Sequence, residues 1–404
     1  MKINRIFCML IALISIFSLS GCYDDKEIDE TAYIIALGID TSEDSGYSYT
    51  FQFSAPLATG GSSEGGESGS KAGGEGGDEN KNPTVRNIVV TAPDFYTAKN
   101  MTNNFLSKNV DMSHLKLIVF SQEVDRDGFL NHSQFLLRER EVRPHTAVAV
   151  SINSAEEYIK SVNPELEANT AKYYELMSLR SNNVYSPTKR LAEFVDEINS
   201  KYGVSILPVA VATDGEAKDK SSSATDDMWV GINDSAVKSG RSDFRGLAVF
   251  KNGQMSGIMD GDCAMIFNIL NRDIRSCTLT LKNPYTDDDV FSFRLTVPSR
   301  AVYAIEQTKK PCNITVSQGL NIEFFGTVLP EGFKSHEELY AYAKSVITQK
   351  FTEYFYDLSR GKQADIMKIG DCYKKFFLTE EAFDSSDWEQ LFNSADFKVE
   401  ISFI

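Results

Sequence analysis

Leu115-Lys116-Leu117-Ile118-Val119-Phe120-Ser121 is an apolar run of strand length, and the segments on either side of it decide the fold class. Upstream, Asp94 is placed to cap a helix on which Ala98, Met101 and Phe105 share one face. Downstream, residues 129–137 read as helix and residues 146–152 as a β-rich alternating strand. Ser154 with Glu157 forms a capping box for the next helix. Ser186-Pro187 opens another, with Leu191, Phe194, Val195 and Ile198 on one stripe, and residues 204–212 return to strand. Alternation of strand and helix from about residue 85 to 212 predicts a mixed α/β region.

Working outward, residues 30–39 read as a strand, 40–46 as a turn and 47–53 as a half-buried strand, which together make a hairpin. Residues 58–82 are Gly, Ser, Glu and Asp with almost no apolar side chain, so they predict a flexible insertion. No G-K-[ST] or G-x-G-x-x-G frame makes this a phosphate loop. The polar segment 213–242, interrupted only by Met228-Trp229-Val230, reads as a linker between an N-terminal region (22–212) and a C-terminal α+β domain (243–404). In the latter, strands at 246–250 and 254–259 flank the hairpin turn Asn252-Gly253. A helix over 263–271 follows, then β-rich runs at 277–282, 290–297, 301–307 and 312–328. Ser335 with Glu338 starts a long helix carrying Leu339, Ala343, Val346, Ile347, Phe351, Tyr354 and Leu358, with Gly361 placed to end it and its stripe packed on a sheet. Two short helices, one bearing Trp388, lead to a terminal strand at 397–404.

The first residues form a leader. Lys2 and Arg5 precede residues 6–19, which carry no charge and are too short for a span, since a hydrocarbon core needs about 20 apolar helical residues. Leu19-Ser20-Gly21-Cys22 closes the run as a lipobox, so residues 1–21 are read as a signal peptide cleaved between Gly21 and Cys22. Cys22 would then carry a diacylglycerol on sulfur, with or without a further acyl chain such as palmitate on its amine. Two chains hold a protein at a membrane, because each buried methylene contributes about 0.8 kcal/mol. No later window is apolar enough to cross a bilayer.

Removing Lys2 and Arg5 takes the net charge from −16 to −18. Such an excess disfavours nucleic acid and predicts no basic patch for anionic headgroups, leaving the tether to the acyl chains. Cys263, Cys277, Cys312 and Cys372 remain in a compartment where disulfides are permitted. Their spacings contain no C-x-x-C, which argues against zinc, and both free thiols and bridges stay open. Catalysis needs a nucleophile with its base, a carboxylate pair or a metal cluster. There is no G-x-S-x-G and no H-E-x-x-H, and His114, His132, His145 and His336 read as caps, turns or surface residues. Asp287, Asp288 and Asp289 lack the glycine and distal glutamate of an EF-hand and read as a solvated hairpin turn, and residues 40–46 fail the same test. No catalytic residue, metal or cofactor is predicted. The run Arg138-Glu139-Arg140-Glu141-Val142-Arg143-Pro144 reads as a solvated helix end stopped by Pro144.

Several segments together resemble the Ger(x)C family of spore-germination lipoproteins, the C subunits of germinant receptors. They are Gly21-Cys22-Tyr23-Asp24-Asp25-Lys26-Glu27-Ile28, Ala36-Leu37-Gly38-Ile39-Asp40, Tyr96-Thr97-Ala98-Lys99-Asn100, residues 111–120, the Arg138 to Pro144 run, and Gly246-Leu247-Ala248-Val249-Phe250 with Gly257-Ile258-Met259-Asp260-Gly261. Tyr23 stands where the family has Trp, and the Gly-rich insertion is this chain's own. The resemblance implies three mixed α/β domains without a catalytic pocket. It also implies a non-enzymatic subunit on the outer leaflet of the spore inner membrane, beside an integral A subunit and a transporter-like B subunit. No direct small-molecule ligand is expected of it. The alternative is an extracytoplasmic solute-binding lipoprotein; an envelope hydrolase is a third class, disfavoured by the lack of a nucleophile or metal set.

Overall fold

A computed structural model describes residues 30–43, 46–54, 85–164, 166–179, 183–212, 242–286, 289–306 and 311–404. The leader, Gly21 and Cys22, the insertion 58–82, residues 213–241 with Met228-Trp229-Val230, and Asp287 and Asp288 lie outside the described residues.

Nine strands form the first sheet: β1 (Thr31–Thr41), β2 (Tyr47–Ser54), β3 (Val85–Ala92), β4 (Asn109–Asp111), β5 (Leu117–Ser121), β6 (Ala147–Ser151), β7 (Val204–Ala212), β8 (Ser242–Lys251) and β9 (Gln254–Met259). Their order is β3-β2-β1-β5-β6-β7-β8-β9, with β4 on the N-terminal part of β1. β1, β5, β6 and β7 run parallel, while β2–β3 and β8–β9 flank them as antiparallel pairs. Helices cover both faces. α1 (Phe95–Phe105), α2 (Arg126–Arg138) and α5 (Leu191–Asn199) pack on Ile118, Phe120, Val148 and Val150. α3 (Ala155–Ser161) and α4 (Thr170–Leu179) pack on Leu117, Val119, Ala147 and Ala149. A strand covered on both faces has no solvent side, so all five residues of β6 are buried and the predicted alternation is absent. Pro208 sits in β7 where the pairing with β8 shifts register, a bulge that tolerates its missing N–H.

The second sheet contains β10 (Ser276–Lys282), β11 (Val290–Thr296), β12 (Val302–Glu306), β13 (Asn313–Phe324) and β14 (Asp396–Phe403), ordered β10-β11-β13-β12, with β14 parallel to β13. α6 (Gly261–Asn271) and α7 (His336–Tyr356) cover it, followed by the short helices α8 (Gly370–Lys374), α9 (Glu380–Asp384) and α10 (Trp388–Asn393). Leu339, Ala343, Val346, Ile347, Phe351 and Tyr354 are the buried stripe of α7, as its periodicity predicts. The fold is thus mixed α/β, organised on two sheets where the resemblance implies three domains. Residues 242–259 complete the first sheet, so the sheet boundary falls after the composition boundary at 242.

Several local expectations are corrected. On α1 the buried residues are Phe95, Ala98 and Thr102, while Met101 and Phe105 are 48% and 78% exposed. Thr102 bonds its own Ala98 carbonyl at 2.8 Å, which satisfies its hydroxyl and lets it serve as a core residue. α5 begins at Leu191 rather than at Ser186-Pro187, because residues 189–190 run along β6: Val148 N–H donates to Lys189 O at 3.1 Å and Arg190 bridges Ala147. α2 ends at Arg138, well before Pro144. α7 continues as a π turn over Asp357–Lys362 and closes at Gln363 (φ 53°), so Gly361 lies inside the helical segment. Three short helices, not two, precede the last strand. No helix is predicted at α4.

Candidate functional site

Buried polar groups join the first sheet to its helices. Gly38 lies under α3, where a Cβ would stand 3.0 Å from Ile159 Cδ1 and 3.2 Å from both Ala155 Cβ and Thr50 Cβ. This close approach brings Asp40 to the start of α3. Asp40 Oδ1 accepts from Ala155 N–H at 2.6 Å and Oδ2 from Glu156 N–H at 3.0 Å, while Ser154 Oγ caps Glu157 N–H at 2.9 Å. Three free donors of the helix terminus are therefore satisfied, two by a strand residue that the sequence places in a turn. Burial pushes the Asp40 carboxyl up to about 6 against the two N–H groups, with Glu156 and Glu123 adding to the rise.

Of the four histidines, His132 departs from expectation, being buried in the core. Its Nδ1 lies 2.7 Å from Gly128 O, which only accepts, so Nδ1 carries the proton and Nε2 accepts the Tyr49 hydroxyl at 2.7 Å. Burial holds its pKa below the usual histidine range, keeping the ring neutral. His114 packs on Tyr33 with centroids 4.4 Å apart, and His145 and His336 are exposed. Among the described residues no three His, Cys, Asp or Glu side chains converge to hold a metal ion. Cys263, Cys277, Cys312 and Cys372 are unpaired. Burial raises the thiols of Cys263 and Cys312 and pushes Cys277 up to about 12, which suppresses thiolate chemistry at all three.

Polar contacts bridge the two sheets. Asn268 Nδ2 on α6 donates to Val184 O at 3.0 Å and Ser186 O at 3.2 Å. Glu197 on α5 receives Lys189 at 2.7 Å and Ser205 at 2.6 Å from its own side and Lys368 at 3.1 Å from across the joint. Lys251 pairs with Glu389, and Lys201 with Asp384. Near them, the largely buried Asp365 accepts from Gly370 N–H at 2.7 Å, Ile369 N–H at 2.9 Å and Trp388 Nε1 at 3.1 Å. Its carboxyl is pushed up to about 6 by burial.

Two surface features remain. In the Arg138 to Pro144 run, Glu141 turns inward to Lys99 at 3.0 Å and Met112 N–H at 3.2 Å, leaving Arg138, Arg140 and Arg143 exposed on the rim. The inward turn of Glu141 is not legible from charge density along the run. Elsewhere Arg272, Arg275 and Arg300, with Pro298 and Ser299, line an open cleft of about 420 Å³. Scattered over some thirty residues of an acidic chain, these arginines give no sequence signal. Among the described residues no helix is long and apolar enough to cross a membrane.

With this geometry in view, the chain matches the family model described as "Spore germination protein N-terminal domain" over residues 24–212 and that described as "Spore germination B3/ GerAC like, C-terminal" over residues 245–403. It is 25% identical over 154 residues to the putative spore germination protein YfkR of Bacillus subtilis (strain 168), covering 38% of this chain and 37% of that one. To the spore germination protein KC of the same organism it is 26% identical over 167 residues, covering 40% and 38%. The matches thus span less than two-fifths of the length of either relative. The crystal structure of the GerBC protein superposes on 91% of this chain and 96% of its own with a TM-score of 0.50, and at 13% identity this is a likeness of fold.

Proposed function

Because the chain belongs to the Ger(x)C family of spore germination proteins, we propose that it is the lipid-anchored C subunit of a nutrient germinant receptor, acting without catalysis at the spore inner membrane. The observation that carries this reading is that the two matched models run in order from residue 24 to 403, opening directly behind the lipobox cysteine. In it, the leader is removed between Gly21 and Cys22, acylated Cys22 confines the body to the bilayer surface, and the body assembles with A and B subunits there. Confinement raises the local concentration of a subunit that needs no transmembrane helix of its own. The alternative of a solute-binding lipoprotein calls for two similar lobes about a cleft; a nine-stranded sheet beside a five-stranded one gives it no support.

The test is Cys22→Ala in sporulating cells. Fractionation should find the variant without acyl label, and spores carrying it should respond weakly to nutrients while keeping their response to non-nutrient germinants. Full acylation-independent membrane retention and an unchanged nutrient response would refute the reading, as would saturable binding of an amino acid or sugar by the purified chain for its non-ligand-binding part.

A further inference from the structure

Net charge predicts no basic patch, yet folding assembles one from arginines far apart in sequence. Arg272, Arg275 and Arg300 are all exposed, and no carboxylate in the described residues forms an ion pair with any of them. Arg300 is fixed by donating from Nε to Asn271 O at 2.9 Å, and Arg272 caps α6 in the left-handed conformation (φ 59°). The charge of Asp273 interacts with those of Arg300, Lys189 and Glu193, so the cleft lies near the start of α5, where Arg190 is exposed. Arg190 bridges Ala147 at the N-terminal end of β6, and the loop leading into β6 carries the exposed Arg140 and Arg143. Six arginines thus lie along one side of the molecule, against Glu139, Glu193 and Asp273.

That side is also where the chain enters the fold. β1, β5 and β6 are parallel neighbours about 4.8 Å apart, so the N-terminal end of β6 is the end at which β1 begins. His114, just ahead of β5, packs on Tyr33 of β1, and Leu115 O, Lys116 O and Ile35 O tie the entries of the three strands together. Eight residues separate Cys22 from Thr31, a tether that spans at most about 30 Å.

We infer that this arginine face, with the cleft of Arg272, Arg275 and Arg300 at its centre, docks on the phosphate headgroups of an anionic membrane. Guanidinium forks suit phosphate oxygens, and a short tether ending on the same side brings them within reach. The docking rests on the acylation of Cys22 and adds an orientation to it: the arginine side faces the bilayer, and the acidic remainder of the body faces away.

The experiment takes the acylated full chain, reconstituted in vesicles of phosphatidylcholine alone or mixed with an equal part of phosphatidylglycerol. Arginines are labelled with a dicarbonyl reagent and read by mass spectrometry. Labelling of Arg272, Arg275 and Arg300 should slow by roughly fivefold per arginine in the anionic vesicles and recover in high salt, while the exposed Arg294, which pairs with Glu323, labels equally in both. Joint replacement of Arg272, Arg275 and Arg300 by Glu should abolish the lipid-dependent protection of Arg140, Arg143 and Arg190. Equal labelling in the two vesicles overturns the inference, and so does equal protection by inorganic phosphate with phosphatidylcholine vesicles, which assigns the cleft to a soluble anion. Failure of the chain to float with either vesicle is a separate result, visible before labelling, that removes the anchor and the docking together.

Discussion

Asp40 accepts the backbone N–H of Ala155 at 2.6 Å across 115 residues of chain, fastening the end of β1 to the start of α3. Its carboxyl titrates near 6 in the fold against 3.8 in a free chain, because burial outweighs the helix N–H groups. The folded state therefore holds the proton more tightly, and the contribution of Asp40 is greatest below about pH 4 and declines as pH rises through 6. Relative to Asp40→Asn, the wild type should lose on the order of 3 kcal/mol between those limits. Urea unfolding of both proteins from pH 4 to 7 measures it; a relative stability that grows with pH would show that the helix terminus, not desolvation, governs this carboxylate.

Gly38 permits that joint by leaving room for Ile159, whose Cδ1 would lie 3.0 Å from an added Cβ. Gly38→Ala should destabilise by about 1–3 kcal/mol through overpacking. Ile159→Val in the same chain should recover part of the loss, since the two sites share one contact. Strict additivity of the two changes would place the clash elsewhere.

How far the sequence discloses the fold depends on whether a residue's neighbours are local. The α7 stripe and the Asn252-Gly253 turn, with φ of 52° and 81°, follow from spacing and turn chemistry alone. β6 is legible as a strand but not as a fully covered one, since the helices on its two faces come from residues 126–138, 155–161, 170–179 and 191–199. Asp40, His132, Asp365 and the arginine cleft are illegible for the same reason: each owes its role to partners that only the folded chain brings near. On α1, hydrophobicity picks Met101 and Phe105, whereas packing picks Phe95 and Thr102. Phe105→Ser should accordingly change stability by no more than about 0.5 kcal/mol, while Phe95→Ala costs about 3–5 kcal/mol. Equal losses in thermal unfolding would mean that the outer face of α1 is covered in the isolated chain.

Asp365 gathers three donors in a largely buried site, from Ile369, Gly370 and Trp388. Asp365→Ala strands all three, each at about 1–3 kcal/mol, so the variant should unfold the region around α8 and α10 or the whole second sheet. Trp388→Phe removes one donor together with its need for an acceptor and should be milder. Near-ultraviolet circular dichroism and chemical unfolding compare them, and a Trp388→Phe loss equal to that of Asp365→Ala would shift the weight from hydrogen bonding to indole packing.

Glu197 has the opposite pH signature. Burial would raise its pKa, but the charge and hydrogen bond of Lys189, with Ser205 and Lys368, outweigh it and hold the carboxyl below its ordinary 4.5. Its stabilisation is therefore complete above that value and is lost as pH falls through the depressed one. Within the cluster the partners are unequal: Lys189 is 10% exposed and Lys368 is 58% exposed. Glu197→Gln leaves the Lys189 ammonium buried without a counter-charge, which should cost about 3–5 kcal/mol at neutral pH. Lys368→Ala removes only a solvated partner and should cost less than about 1 kcal/mol, even though it is the contact that crosses between the sheets. Urea titrations at pH 7 and below 4 separate the two, with the Glu197→Gln penalty shrinking in acid. A Lys368→Ala loss as large as that of Glu197→Gln would mean that the bridge between sheets, rather than the neutralisation of Lys189, is what this glutamate is held for.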